Sequence, residues 1–438
     1  MTKRRIVSLV IITAAAAVLV TFTVIFFNNF RGIIPLLKRP AVDITEAIPE
    51  SSTESGEKQD DLVEQEDTGA AELENAVTGE VKSSQEGEQD DSGVLKLDEG
   101  FSISVFSGEV PAARVLCLGP TGSLWVSQTG IGKVSRIDIE NGRSSGTFTV
   151  FEGLNNPHGL VFDPENPGIL YIAQEDKISR VVMGSDGFPA GDLEKVIDLP
   201  AGGRHYTRTL GFGSDGRLYV SVGSTCDVCI EKDDRIASIY SMEKDGSDFR
   251  EFATGLRNSV FFRWNPATGQ MWATEMGRDN LGDDLPPDEI NIILEGRDYG
   301  WPYCYGNNIQ DRDFDSSETA AQRCRDAQPS FIDIQAHSAP LGLDFIPSGD
   351  GWPREYHYDL LVSYHGSWNR SVPTGYKVVR FVLDSSGNLM GEKDFITGWL
   401  ADDGSVLGRP VDILVLDEGI AYISDDRAGV VYKVEHRG

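Results

Sequence analysis

The chain contains six histidines, and one of them stands between two arginines in "GGRHYTRTLGFGSDGRLYV" (Gly202–Val220). His205 lies between Arg204 and Arg208, just before an apolar stretch with strand character. Neighbouring cations disfavour a charged imidazole, and a neutral imidazole at neutral pH can serve as a general base. The plainer reading is a loop histidine bonded to a backbone carbonyl. Other residues suited to chemistry occur in short polar segments far apart in the chain. These are Arg257 and Asn258 in "GLRNSV", the acidic run "EMGRDNLGDDLPPDEIN" (Glu275–Asn291), His337 in "AHSAPLG", "HGSWNR" (His365–Arg370), and Arg409 in "GRPVD". A base, several arginines and a group of carboxylates would suit an acidic, planar ligand together with a cation.

Residues so far apart act together only if the fold gathers them. From about Val94 short β-rich runs alternate with Gly, Asp, Asn and Pro turns, and no long helix-period stretch appears. One theme returns six times: "VLCLGPTGSLWVSQ", "LVFDPENPGILYIAQ", "LGFGSDGRLYVSVG", "FRWNPATGQMWATEMG", the looser stretch from Leu341 to Gly366, and "DILVLDEGIAYISDD". Each copy reads as a hairpin that cannot bury both faces alone. Radial stacking solves that, so the expected fold is all-β, a six-bladed β-propeller. An irregular pair of β-sandwiches is the competing architecture. In a propeller the segments named above enter or leave blades at one face. "DDLPPDE" by itself would be a solvated acidic loop. The tryptophans of "LWV", "MWA" and "GWPY" read as blade packing, and the segment from Asp311 to Arg323 as a surface insertion.

The expected domains are an anchor with its flanks over 1–40, an acidic linker over 41–94, and the propeller over 95–438. Ile6–Phe27 is 22 residues without a charge, enough to span a bilayer as one helix, with no small-residue cleavage site after it. Residues 41–93 contain 17 acidic and 2 basic side chains and no aromatic, which accounts for 2 − 17 = −15 of a net charge of −30. Such a segment buries too little apolar surface to offset chain entropy and reads as a disordered spacer. The acidity excludes nucleic acid as a partner. Of the five cysteines, the pairs Cys226/Cys229 and Cys304/Cys324 lie in polar loop sequence, and Cys117 lies in an apolar run. Two local disulfides and a buried thiol are expected, which implies an extracytoplasmic, oxidising compartment, periplasmic or at the cell surface. "CDVC" as a redox or zinc motif is the alternative.

The segments "GGRHYTRTLGFGSDGRLYVSVGS", "GLRN", "DDLPPDEIN…GRDYGWPYCYG", "AHSAPLGLDF", "GSWNR…TGYKVVRF" and "GRPVDILV…AYISDD" resemble the soluble quinoprotein sugar dehydrogenases, closest to the sorbosone, aldose and glucose dehydrogenase type. The resemblance runs from Leu97 to Val434. It implies a six-bladed propeller using pyrroloquinoline quinone (PQQ) and Ca2+ to oxidise a sugar, with electrons passed to an external acceptor. It further implies His205 as the base that removes the substrate hydroxyl proton and Asp288 as the residue fixing substrate or base. Arg257, Asn258 and Arg409 fall on quinone-contacting positions, and Gly277 and Arg278 on calcium-binding carbonyls. Arg208 and His337 are further candidates for the cofactor pocket. The chain departs from the glucose enzymes at Met276, Arg278 and Val411. It also has no match for their quinone-contacting lysine, for which Asn369 or Arg370 can substitute. These departures leave the sugar open. His158 reads as a turn residue and His357 as structural. His365 can line the pocket, and Trp368 can stack on substrate. A binding propeller without catalysis, or a calcium-dependent lactonase, are the other function classes.

Overall fold

The computed structural model describes residues 95–437; the expected anchor and spacer lie outside them. Within this range the strands form six blades and one small hairpin, antiparallel except where the short strand Arg297–Asp298 joins blade 3 in parallel. Blade 1 comprises Ala113–Leu118, Leu124–Gln128, Lys133–Glu140 and Arg143–Phe151. Blade 2 comprises Leu160–Phe162, Ile169–Ala173, Lys177–Val182 and Glu194–Asp198. Blade 3 comprises Leu210–Phe212, Leu218–Val222, Ser238–Met242 and Arg250–Thr254. Blade 4 comprises Phe262–Trp264, Met271–Glu275, Asp288–Ile293 and Ile332–Ile334. Blade 5 comprises Pro340–Phe345, Leu360–Tyr364, Lys377–Leu383 and Leu389–Thr397. Blade 6 takes Pro410–Leu416, Ile420–Asp425 and Val430–His436 from the end of the chain. Its outer strand is Phe101–Ser107, which pairs antiparallel with Val430–His436 and closes the ring. The six sequence copies are the first two strands of the six blades, in order.

The second strands read "LWVS", "LYIA", "LYVS", "MWAT", "LLVS" and "AYIS", and two of these positions hold neighbouring blades together. In the first four blades the aromatic at the second place packs edge-on against the inner strand of the next blade. Trp125 meets Phe162, Tyr171 meets Phe212, Tyr219 meets Trp264 and Trp272 meets Phe345, with ring centroids 5.4–5.5 Å apart. Each such pair contributes about 0.5–1.5 kcal/mol beyond its buried area. At the fourth place a buried hydroxyl pairs inner-strand backbone groups that splaying blades leave without a ladder partner. Thr274 Oγ1 donates to the Leu341 carbonyl at 2.7 Å, and Ser424 Oγ to the Arg114 carbonyl at 2.5 Å. The Ser363 hydroxyl donates to the Val411 carbonyl.

Both expected disulfides are formed, Cys226–Cys229 and Cys304–Cys324. Cys117 is a free thiol, half-buried rather than sealed in the core. The segment read as a plain surface insertion contains a helix, Glu318–Asp326, capped by Ser317 Oγ, which accepts from Ala320 N. Its composition hid it, because only Ala320 and Cys324 are buried and, Ala321 apart, the rest of "ETAAQRCRD" is polar. Cys324 then ties this helix to the small hairpin of Cys304–Tyr305 and Ile309–Gln310.

Candidate active site

Strands alternate in direction within a blade. The link from strand two to strand three and the link into the next blade therefore emerge at the same face. His158, His205, Arg257, His337 and Arg409 lie on links between blades. Residues 223–237, 276–287, 365–376 and 426–429 lie on links within blades 3, 4, 5 and 6. That alternation gathers the site.

His205 is buried, and its Nδ1 lies 2.9 Å from Ser224 Oγ. Ser224 Oγ donates its single proton to the Cys226 carbonyl at 2.7 Å. The hydroxyl must therefore accept from Nδ1–H, which leaves Nε2 as the nitrogen with the lone pair. Among the described residues Nε2 makes no hydrogen bond. Burial, then the charges of Arg257 and Arg204, hold the imidazole well below its usual range, so it is neutral at neutral pH. The two arginines anticipated from sequence as neighbours play unequal parts. Arg208 turns away and donates to the carbonyls of His205, Thr207 and Pro200 at 2.8–2.9 Å. Burial brings it down to about 10. It supports the backbone that carries the histidine.

Arg257 is buried and heavily engaged. Its Nε donates to the Asp227 carbonyl at 2.8 Å, and its Nη2 to Asp227 Oδ1 at 2.7 Å and Asp279 Oδ2 at 3.3 Å. Arg204 Nη2 donates to the same Asp279 oxygen at 2.7 Å, and Asn369 Nδ2 to Asp279 Oδ1 at 2.9 Å. Three side chains from three loops thus converge on one carboxylate. Asn258 is placed by Glu275, whose oxygens accept from Asn258 N at 2.6 Å and Ser259 Oγ at 2.5 Å. Burial pushes Glu275 up to about 8, against the pull of those two bonds. The Asn258 amide has only a 3.5 Å contact with Met276 Sδ, which leaves most of its bonding capacity for a ligand. Gly223 lies beneath: a Cβ there would stand 2.7 Å from both Asn258 Oδ1 and His205 Cβ.

After the second strand of blade 4, the carbonyls of Gly277 and Arg278 accept no hydrogen bond among the described residues. Gly277 has no room for a side chain, since a Cβ would lie 2.8 Å from Pro286 Cγ and the Pro287 carbonyl. Asp288 fixes this turn: its oxygens accept from Gly277 N and Ala339 N, each at 2.8 Å. It makes no hydrogen bond to His205. Burial raises it to about 6. Arg278 extends to Asp311 Oδ2 at 2.8 Å.

A second cluster joins blades 5, 6 and 1. Arg409 donates to the carbonyls of His365 and Gly366 at 3.1 and 3.0 Å and makes no ion pair among the described residues. His365 Nε2 donates to Asp426, 3.0 and 3.1 Å from its two oxygens, and Arg114 Nη1 holds that carboxylate at 2.9 Å. Burial, then Arg409, lowers His365 to about 4. His337 Nε2 donates to the Gly282 carbonyl at 2.8 Å from a backbone with φ of 65°. Arg370 donates to the carbonyls of Asp283 and Ala336 and so clamps the acidic loop instead of joining Asn369 at Asp279. Trp368 stands 57% exposed, free to meet a ligand from solvent.

Sequence reading passed over Ser224, Asp227, Asp279, Glu275 as a buried acid, and Arg114. Asp227, inside "CDVC", and Glu275 and Asp279, inside "EMGRD", had a usable signal.

Residues 95–437 match the family described as TrAA12-like. An uncharacterised protein of Borreliella burgdorferi is 30% identical over 360 residues, spanning 78% of this chain and 90% of its own. Quinoprotein glucose dehydrogenase B of Acinetobacter calcoaceticus is 24% identical, over 69% of this chain and 74% of its own. Among solved structures, a Trichoderma reesei enzyme of carbohydrate-active family AA12 superimposes with a TM-score of 0.69 at 20% identity, covering 78% of this chain and 98% of its own. The holo PQQ domain of pyranose dehydrogenase from Coprinopsis cinerea gives 0.68 at 21% identity, over 78% and 97%. The structural likeness establishes the propeller fold.

Proposed function

The chain belongs to the TrAA12-like family, among the soluble PQQ-dependent sugar dehydrogenases, and from that premise we propose that it oxidises an aldose or related sugar with His205 as general base. The observation that carries this reading is the neutral, buried His205 with Nε2 unengaged beside Arg257 and Asn258.

The donor set fits an anionic quinone and a hard cation. Arg409 makes no ion pair among the described residues, although its charge reaches Asp426. The donors of Arg204, Arg257 and Asn369 converge as a carboxylate requires, and Asp279 now holds them, so a quinone carboxylate would have to share or replace Asp279 there. The unclaimed carbonyls of Gly277 and Arg278 are the oxygen donors calcium prefers. In our reading Arg257, Asn258, Arg409 and Asn369 hold the quinone, and Gly277 and Arg278 hold Ca2+. When bound, the quinone supplies a two-electron acceptor. The protein does the rest. His205 Nε2 takes the substrate hydroxyl proton, and the nearby guanidinium groups favour its onward release. The arginines stabilise negative charge that develops during the transfer.

The protein acts outside the cytoplasm in this reading, held to the membrane by Ile6–Phe27, and passes electrons to an external acceptor. Two disulfides support an oxidising compartment. The test is to add calcium and PQQ to the purified protein, follow quinone binding, and assay aldoses with an artificial electron acceptor. Saturable quinone binding with sugar-dependent acceptor reduction is expected. A protein that binds no quinone in the presence of calcium overturns the reading in favour of a binding propeller.

A further inference from the structure

The four-residue ring closed by Cys226–Cys229 touches both halves of the site. Its Cys226 carbonyl accepts the Ser224 proton at 2.7 Å. The carbonyl of its Asp227 accepts from Arg257 Nε at 2.8 Å, and Asp227 Oδ1 accepts from Arg257 Nη2 at 2.7 Å and Asp279 N at 2.9 Å. Next to the ring, Thr225 is tied to Glu231 by its N–H and its hydroxyl, each at 2.7 Å. The 204–205 segment pairs with 224–225: Arg204 N donates to the Thr225 carbonyl at 2.9 Å and His205 N to the Ser224 carbonyl at 3.2 Å.

We propose that Ser224 and the Cys226–Cys229 ring are positioning elements that commit His205 to the Nδ1–H tautomer and fix Arg257 beside it; the consequence for catalysis rests on His205 being the base. A serine hydroxyl has one proton. While the Cys226 carbonyl takes it, the oxygen can only accept from the imidazole, so Nδ1 must carry the ring proton. If the carbonyl moves away, the hydroxyl turns freely and can donate to Nδ1. The proton then shifts to Nε2, the atom that must be basic. The disulfide removes that freedom by closing the backbone between residues 226 and 229. Asp227, in the same ring, keeps Arg257 from following a mobile loop. A structural bridge would serve the fold alone; this one sets a proton's address.

The test reads the tautomer directly and needs no cofactor. In the full chain labelled with 15N-histidine there are six imidazoles, and His205→Gln assigns the one in question. The expected wild-type spectrum has a protonated, pyrrole-type Nδ1 and a pyridine-type Nε2 for His205. Ser224→Ala is expected to give a mixture of tautomers and to lower kcat by about 10-fold or more with little change in KM, because a misplaced proton disables a base worth about 10²-fold or more. Ser224→Thr restores both. The Cys226→Ser/Cys229→Ser double variant is expected to give the same mixture while retaining the β-sheet circular dichroism of wild type. Should that variant not fold, the Ser224 pair still decides the hydroxyl's role. A wild-type His205 protonated at Nε2, or an unchanged tautomer in Ser224→Ala, overturns the proposal. An unchanged tautomer in the folded double variant overturns the ring's part in it. Failure of the sugar-oxidation reading would appear as absent quinone binding with the tautomer result intact.

Discussion

His205 and His365 sit on the same face of the ring, and burial makes both neutral. They differ in what each ring nitrogen faces. His205 gives Nδ1–H to a hydroxyl and, among the described residues, keeps Nε2 unengaged. His365 gives Nε2–H to the Asp426 carboxylate, which Arg114 also holds. The bonds from His365 and the charges of Arg114 and Arg409 outweigh burial and keep Asp426 below the usual carboxylate range. One imidazole is thus offered to a substrate, and the other is a member of a charge-balanced strut behind Arg409. Neutrality is common to both, so it cannot identify a base. The identity of the partner and the nitrogen it occupies can.

The largest expected effect breaks that comparison directly. His205→Ala lowers turnover by about 10²-fold or more and leaves quinone affinity intact, whereas His365→Ala acts mainly on quinone affinity. Steady-state kinetics alongside a quinone titration distinguish the two, and equal losses of turnover would erase the distinction. Next, Arg409→Ala weakens quinone binding by about 2 kcal/mol or more, with turnover partly recovered at saturating cofactor. A quinone affinity unchanged in this variant would assign Arg409 to the fold.

Because burial and two arginines keep His205 neutral, the acid limb of kcat/KM is expected below the ordinary histidine range. A midpoint at or above pH 6.5, the reference value, would mean that the base is a different group.

The smallest effect concerns two acids at equivalent blade ends, Glu275 beside Asn258 and Asp425 beside Arg409. Burial raises them to about 8 and about 6. A raised carboxyl favours the folded state while it stays protonated. Its contribution is complete below the unfolded value and is lost as pH rises through the folded one. Of these two acids only Glu275 still titrates between pH 7 and 8.5, which costs on the order of 1 kcal/mol of stability as pH rises, with a smaller share from Glu289, which burial raises to about 7. The pH dependence of denaturant unfolding across that window should lose most of its slope in Glu275→Gln and keep it in Asp425→Asn.

What could be read from sequence was whatever a blade writes locally. The hairpin repeat specifies the strands, because alternation and turn residues act within about fifteen positions. The "LWVS"-type strands place an aromatic at four blade junctions and a bridging hydroxyl at three. The cysteine spacings gave both disulfides, and the order of the repeats put His205, Arg257, His337 and Arg409 at one face. The partners of those residues were not legible. Arg114 reaches Asp426 across the closure of the ring, 312 residues along the chain. Asp279 meets Arg204 and Asn369 at separations of 75 and 90. Asp288, which the resemblance puts at the base or substrate, also fixes two backbone turns, which only packing decides. A repeat encodes where a loop emerges. Which atoms of six loops meet above the channel depends on the closed ring, where each hydrogen bond competes with every other donor within reach.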